Sequence, residues 1–167
     1  MLKYVADMVH LMSFMFLLSR ILNSKSSIGI SSKTLELYLI LFCLRYIDLF
    51  MYFVSFYNTL MKVGFIGITA FIIYLLHKKK PYCSSYNRKK DSFRHLLIVL
   101  PISAVFTLIF HSKFTLWEMA WSFSLWIESM AILPQLDLLR RMGEAESLTS
   151  NYVAALGIYR LLYVIYW

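Results

Sequence analysis

The chain has 167 residues, 60% apolar and 16% charged, with a mean hydropathy of +0.65. Soluble domains are nearer half apolar and a quarter charged, so an ordinary soluble domain is excluded. Scarce Gly and Pro beside 17% aromatic residues exclude a disordered or collagen-like chain, and the net charge of +8 is spread in a way that excludes a nucleic-acid binder.

Six apolar runs follow in order: 4–22, 35–53, 58–76, 95–111, 115–136 and 151–167. They predict an all-α polytopic membrane bundle forming a single transmembrane domain over 1–167. The first run sits where a signal peptide would, yet Asp7 and His10 interrupt it and no small-residue cleavage site precedes Arg20, so it reads as a retained helix. The second carries Arg45 and Asp48 in its middle. Between the third and fourth lies the basic loop "HKKKPYCSSYNRKK"; the fifth holds Glu118, Glu128 and Pro134-Gln135, and the sixth holds Arg160. At 1.5 Å per residue, 17–20 residues reach about 25–30 Å, which suits a thin bilayer such as that of the endoplasmic reticulum, about 27 Å.

Twelve Lys and Arg residues, Arg20 among them, fall in the breaks after the first, third and fifth runs, against Lys3, Lys62 and Lys113 on the other side. That bias places the N-terminus outside the cytosol, or in a lumen, and makes the basic loop cytosolic, where it sets topology and meets anionic lipid of the bilayer. Cys43 and Cys83 are too few for a disulfide framework and lie at different depths. His10, His77, His95 and His111 stand in separate segments without metal-ligand spacing. No phosphate loop, zinc-protease helix or nucleophile elbow occurs. Glu118 and Glu128, ten residues apart, lack a companion nucleophile, so neither an enzyme nor a cofactor or metal is expected.

An ionised side chain at the centre of a spanning helix costs on the order of 2.5–3.5 kcal/mol on insertion scales. Asp7, His10, Arg45, Asp48, Glu118, Glu128 and Arg160 should therefore face inward. Residues three or four apart share a helix face, which pairs Asp7 with His10 and Arg45 with Asp48. Tyr46, Tyr52, Tyr159 and Tyr163 add hydroxyls, and Trp117, Trp121 and Trp126 accompany the glutamates. Internal pairing that knits the bundle together is one reading. A shared polar cavity for a ligand bearing both charges is the other, with Arg45 and Arg160 as forks for a carboxylate and Asp48 and Glu118 for an amine. His10 is either a neutral core histidine or a pH-sensitive latch.

The stretches "GIS", "RYIDLF", "FYNTLMKV", "FTLWEMAWSFSLWIESMAILPQL" and "GEAESLTSNYVAALGIYRLLY" resemble the KDEL receptors, or ER lumen protein-retaining receptors, collinearly from about residue 3 to the end. Pro134-Gln135 is similar to the PQ signature that links those receptors to SWEET-type sugar transporters. The resemblance implies a seven-helix PQ-loop fold of two three-helix bundles and a linking helix, with a lumenal N-terminus. It implies a receptor that binds C-terminal KDEL/HDEL-type peptides of lumenal proteins in the acidic Golgi, returns with them in coatomer vesicles, and releases them at the neutral pH of the endoplasmic reticulum.

By the same resemblance, Arg45, Tyr46, Asp48, Glu118, Trp121, Tyr159, Arg160, Tyr163 and Trp167 correspond to the peptide-binding region. Asp48 faces the signal's basic residue, His10 falls on the proton sensor, and Glu128 on a buried glutamate of its network. Lys3 stands where the family often has arginine, keeping charge without the fork, and Tyr52 replaces a common asparagine at the pocket rim. Family members continue beyond the position of Trp167 through the rest of helix six, a seventh helix and a basic tail read by coatomer. The resemblance thus implies either a fragment of a longer product or a truncated paralogue that does not cycle. A transporter of small polar solutes is the competing function, suggested by the PQ signature and midplane charges.

Overall fold

The computed structural model describes residues 2–50, 53, 55–111, 113–143 and 147–166, with side chains except at 2–4, 50, 147–149 and 166. Among these residues the architecture is all-α: α1 (Leu2–Ser24), α2 (Ser32–Arg45), a 3₁₀ turn (Ile47–Phe50), α3 (Phe56–His77), a short α4 (Tyr82–Ser85), α5 (His95–Ile109), α6 (Leu116–Met130), α7 (Leu133–Met142) and α8 (Ser147–Tyr166). Three helices start on hydroxyl caps: Ser31, Ser55 and Thr115 accept hydrogen bonds from the N–H groups of Thr34, Asn58 and Glu118. α1 packs chiefly on α8, while α2 packs between α3 and α6. The core they enclose includes Phe14, Leu17, Tyr38, Phe42, Ile72, Ile127, Tyr152 and Tyr159.

Three expectations are corrected. The run 115–136 is not one helix. Pro134 lacks an N–H, and its ring would strike the carbonyl four residues back, that of Met130, where α6 ends. α7 then begins with that proline in its first turn and closes on Gly143, whose φ of +76° lets its N–H reach the Leu139 carbonyl at 3.1 Å. The run 35–53 is helical only to Arg45; Tyr46 closes the last α turn on Phe42, and the chain tightens into the 3₁₀ turn. Arg20 lies inside α1 and is buried, rather than in the break that follows.

Among the described residues, two helical stretches, Val5–Ser24 and Phe56–His77, are long and apolar enough to cross a membrane, with mean hydropathies of 1.6 and 2.0. Only 39% and 28% of their most apolar stretches are buried, so most of that apolar surface faces outward. His95–Ile109 and Ser150–Ile165 are apolar but shorter. Large apolar side chains stand outward along several helices, including Met15 and Phe16 on α1, Leu60 and Val63 on α3, Leu97 and Leu108 on α5, and Leu161 and Ile165 on α8. A belt of that extent suits lipid rather than water.

The end of the bundle carrying the basic loop is tied by buried polar bonds. Asp91 takes the Ser31 hydroxyl at 2.8 Å, the Ser32 N–H at 2.9 Å and the Tyr86 hydroxyl at 2.6 Å. Burial, and then the Asp91 carboxylate beside it, push the Tyr86 phenol above its ordinary pKa, so it stays a donor. Gln135 is fully buried; its Oε1 accepts from the Ser31 N–H at 2.9 Å and its Nε2 donates to the Gly29 carbonyl at 2.7 Å. The PQ pair therefore holds the α1–α2 connection against α7. Gln135→Ala leaves a buried backbone donor without its acceptor, and the expected loss is about 1–3 kcal/mol of stability. Thermal melting in detergent checks this, with Gln135→Glu, which keeps the acceptor, losing less.

His77 and His95, far apart in sequence, meet here on one carboxylate. Glu36 Oε2 is 2.9 Å from His95 Nε2, and Glu36 Oε1 is 3.7 Å from His77 Nε2. The Ser32 hydroxyl lies 2.8 Å from Glu36 and 2.7 Å from His77.

Candidate functional site

Arg45, the last residue of α2, turns into the bundle core. Its Nε donates to Ser124 Oγ at 3.1 Å and its Nη2 lies 2.5 Å from Glu128 Oε2. Ser124 and Glu128 are four residues apart on α6 and so share a face. The second Glu128 oxygen accepts from the Tyr159 hydroxyl at 2.9 Å and lies 4.0 Å from Arg160 Nη2. Tyr159 in turn stands 3.5 Å from the Tyr38 hydroxyl. Glu128 and Tyr159 are 8% and 1% exposed, which makes this carboxylate a buried charge that needs its cations and hydrogen bonds.

His10 packs against the same network. Its ring stacks on Tyr159 with centroids 3.8 Å apart and planes 9° apart, boxed in by Phe14, Tyr38, Phe42 and Phe65. Its Nε2 is buried and has no hydrogen-bond partner among the described residues. Two guanidiniums thus share one carboxylate, with the imidazole packed beside them. The two arginines and one glutamate leave a surplus of positive charge in a low-dielectric interior, an arrangement that favours an anionic group.

Other expected residues form separate groups. Asp48, in the 3₁₀ turn, pairs with Lys62 of α3, whose ammonium also lies over the Tyr46 ring at 5.6 Å. Tyr46 stacks on Phe42 at 5.6 Å, which links this pair to the aromatic core. Tyr163 donates to Asp7, while its ring meets Tyr159 edge-on. Glu118 and Trp121 line a shallow cleft of about 390 Å³ with Phe110, Ser122, Leu125 and Trp126. Glu118 also occupies the N-terminal turn of α6, three residues after its cap, where a carboxylate suits the helix dipole. The Lys3 side chain, Tyr52 and Trp167 lie outside the described residues.

The expected pairs are therefore exchanged. Asp7 reaches Tyr163 rather than His10, and Arg45 reaches Glu128 rather than Asp48. The second exchange follows from the end of α2 at Arg45, since three-residue spacing puts side chains on one face only while the helix continues. In place of one open cavity, the central charges pack closed on each other. Sequence reasoning passed over Ser124, Tyr38 and Lys62. Ser124 was open to discovery, one helical turn before Glu128; Lys62 was not, because it meets Asp48 across a reversal of the chain.

The fold is an all-α bundle whose apolar helices suit a membrane, with a buried carboxylate shared by two guanidiniums at its centre. Residues 26–167 match the family described as ER lumen protein retaining receptor, and the chain belongs to that family. It is 46% identical over 165 residues to the ER lumen protein-retaining receptor of Plasmodium falciparum, covering 99% of this chain and 75% of that protein. The corresponding figures are 45%, 99% and 76% for ER lumen protein-retaining receptor A of Arabidopsis thaliana, and 41%, 99% and 76% for the receptor of Drosophila melanogaster.

Proposed function

We propose that the chain binds the C-terminal KDEL/HDEL-type tetrapeptide of proteins of the endoplasmic reticulum lumen and returns them from the Golgi. The observation that carries this reading is the single Glu128 carboxylate shared by Arg45 and Arg160. A peptide ending in a free carboxylate, preceded by acidic residues, supplies the missing negative charge. Membership of the ER lumen protein retaining receptor family supports lumenal proteins as the class of ligand and the membranes of the endoplasmic reticulum and Golgi as the place of action. A retention receptor is not an enzyme class.

In this reading the six apolar runs belong to a seven-helix, PQ-loop, SWEET-like bundle with a lumenal N-terminus, which agrees with the bias of Lys and Arg, eleven to three once the buried Arg20 is set aside. Coatomer is the partner for the return journey. The arriving carboxylate takes the Arg45 guanidinium, and Glu128 loses its closest cation. His10, stacked on the tyrosine that holds Glu128, then has a free carboxylate nearby to compensate a proton. Binding is coupled to proton uptake, so affinity rises as pH falls and is lost towards neutrality.

The test is titration of the purified chain with peptides ending in KDEL or HDEL at about pH 5.5 and about pH 7.5, on either side of the imidazole range. Acid-favoured binding that C-terminal amidation abolishes is the expected result. Equal binding of amidated peptide would sink the reading, because the carboxylate is what the arginines are there to hold. His10→Ala is expected to flatten the pH dependence while leaving membrane insertion intact.

A further inference from the structure

Ser92 stands in the stretch "RKKDSFR", with Lys89 and Lys90 three and two residues before it, Phe93 directly after, and Arg94 next. Residues 91–94 carry no helix or turn, and exposure alternates along them: Asp91 is buried, Ser92 exposed, Phe93 half-buried and Arg94 exposed. Side chains alternate in this way along an extended chain. Ser92 and Arg94 therefore face outward, while Phe93 packs on the core and Asp91 anchors the segment from behind. Ser84 and Ser85 lie instead in α4, where their hydroxyls donate to the Pro81 and Tyr82 carbonyls. Across from Ser92 is α7, whose Arg141 donates from Nη1 to Ser92 Oγ at 2.9 Å and from Nε to Asp137 at 2.8 Å.

We propose that Ser92 is a phosphorylation site for a lysine- and arginine-directed Ser/Thr kinase, and that Arg141 receives the phosphate. The inference rests on the reading above only for the cytosolic side of the loop, where ATP and such kinases are met. Cations on both sides of an outward serine complement an acidic substrate groove, which is how kinases select by charge pattern. In the reaction the Ser92 oxygen attacks the γ-phosphorus of ATP. The new O–P bond forms as the bond to the ADP oxygen breaks, and the hydroxyl proton passes to the catalytic carboxylate of the kinase.

The product carries about −1.5 to −2 charge. Arg141 is already aimed at the acceptor oxygen, so a neutral hydrogen bond becomes a charge-assisted one. Asp91, the acidic neighbour, is turned away into its own hydrogen bonds. The modification thus clamps the approach to α5 onto α7 and cancels part of the positive charge of the loop.

The experiment treats the folded chain in detergent with protein kinase C and ATP, and locates the phosphate by mass spectrometry. Incorporation is expected at Ser92 above Ser84 and Ser85, and is lost in Ser92→Ala. Phosphorus NMR then follows the second ionisation of the phosphate, which is near pH ~6 when unperturbed. It is expected at least about half a unit lower in the native chain than in Arg141→Gln, because a close opposite charge favours the dianion. Asp91, Arg94, Lys89 and Lys90 stay in place in both, so the difference reports Arg141. No incorporation at Ser92 in the folded chain would overturn the site, and equal ionisation in the two chains would overturn the role of Arg141. Sealed microsomes test the placement of the loop separately. Labelling of Ser92 before permeabilisation is expected, and labelling only afterwards would overturn the lumenal N-terminus of the receptor reading rather than the chemistry of the site.

Discussion

An Arg45→Ala variant is expected to lose at least about a hundredfold in affinity for a KDEL-type peptide, measured by calorimetry at acidic pH. Truncating one partner of a buried, hydrogen-bonded charge pair costs roughly 2–5 kcal/mol, and Arg45 is the group closest to the central carboxylate, at 2.5 Å. The loss has two parts that conservative substitution separates. Arg45→Lys keeps the charge but gives up the fork that reaches Ser124 and Glu128 together, so an intermediate loss of about tenfold is expected. Arg45→Ala also strands Glu128 with Arg160 alone at 4.0 Å, and the fold should weaken alongside binding. Adding Glu128→Gln removes the stranded charge; it is expected to recover stability without recovering affinity. Unchanged affinity in Arg45→Ala would remove the guanidinium from the binding site.

Asp91→Ala is the substitution expected to cost most in stability, about 3 kcal/mol or more, and to lower the melting temperature of the detergent-solubilised chain clearly below that of Asp91→Asn. Asp91 is 3% exposed, and it receives two hydroxyls and a backbone N–H from the start of α2 and from Tyr86. Hydrogen bonds to a charged acceptor contribute about 1.5–3 kcal/mol each, and a buried donor left unsatisfied adds its own cost. Tryptophan fluorescence during heating reads the result. An unaltered melting curve would show that the basic loop is tied to α2 by something other than this carboxylate.

Composition pointed to a membrane class, and four of the six apolar runs located helices to within about four residues, whereas 35–53 and 115–136 did not. What they could not carry was where a run changes direction. Pro134 was plain in the sequence, yet only its clash with the Met130 carbonyl turns it into the boundary between α6 and α7. The identities of the buried charges were legible from the cost of placing them in lipid. Their partners were not, because spacing along a helix speaks only of neighbours on the same helix. The Arg45–Glu128 and Tyr163–Asp7 contacts join residues 83 and 156 positions apart. Asp91 was hidden in another way: standing beside a run of lysines and arginines, it read as part of a solvated loop, and only its bonds to Ser31 and Ser32 at the distant start of α2 give it away.

The packing of α1 on α8 has a consequence in time. α1 leaves the ribosome well ahead of α8 and must wait for it, with about 120 residues between them. At about 5–20 residues per second, that is a delay on the order of ten seconds. Throughout it, Asp7 and His10 stand in a membrane-embedded helix without Tyr163 or Tyr159 to receive them. The newborn α1 needs a temporary companion for those seconds, and a substitution that weakens α8 will be felt first as a failure of biogenesis, before any mature receptor exists to be tested.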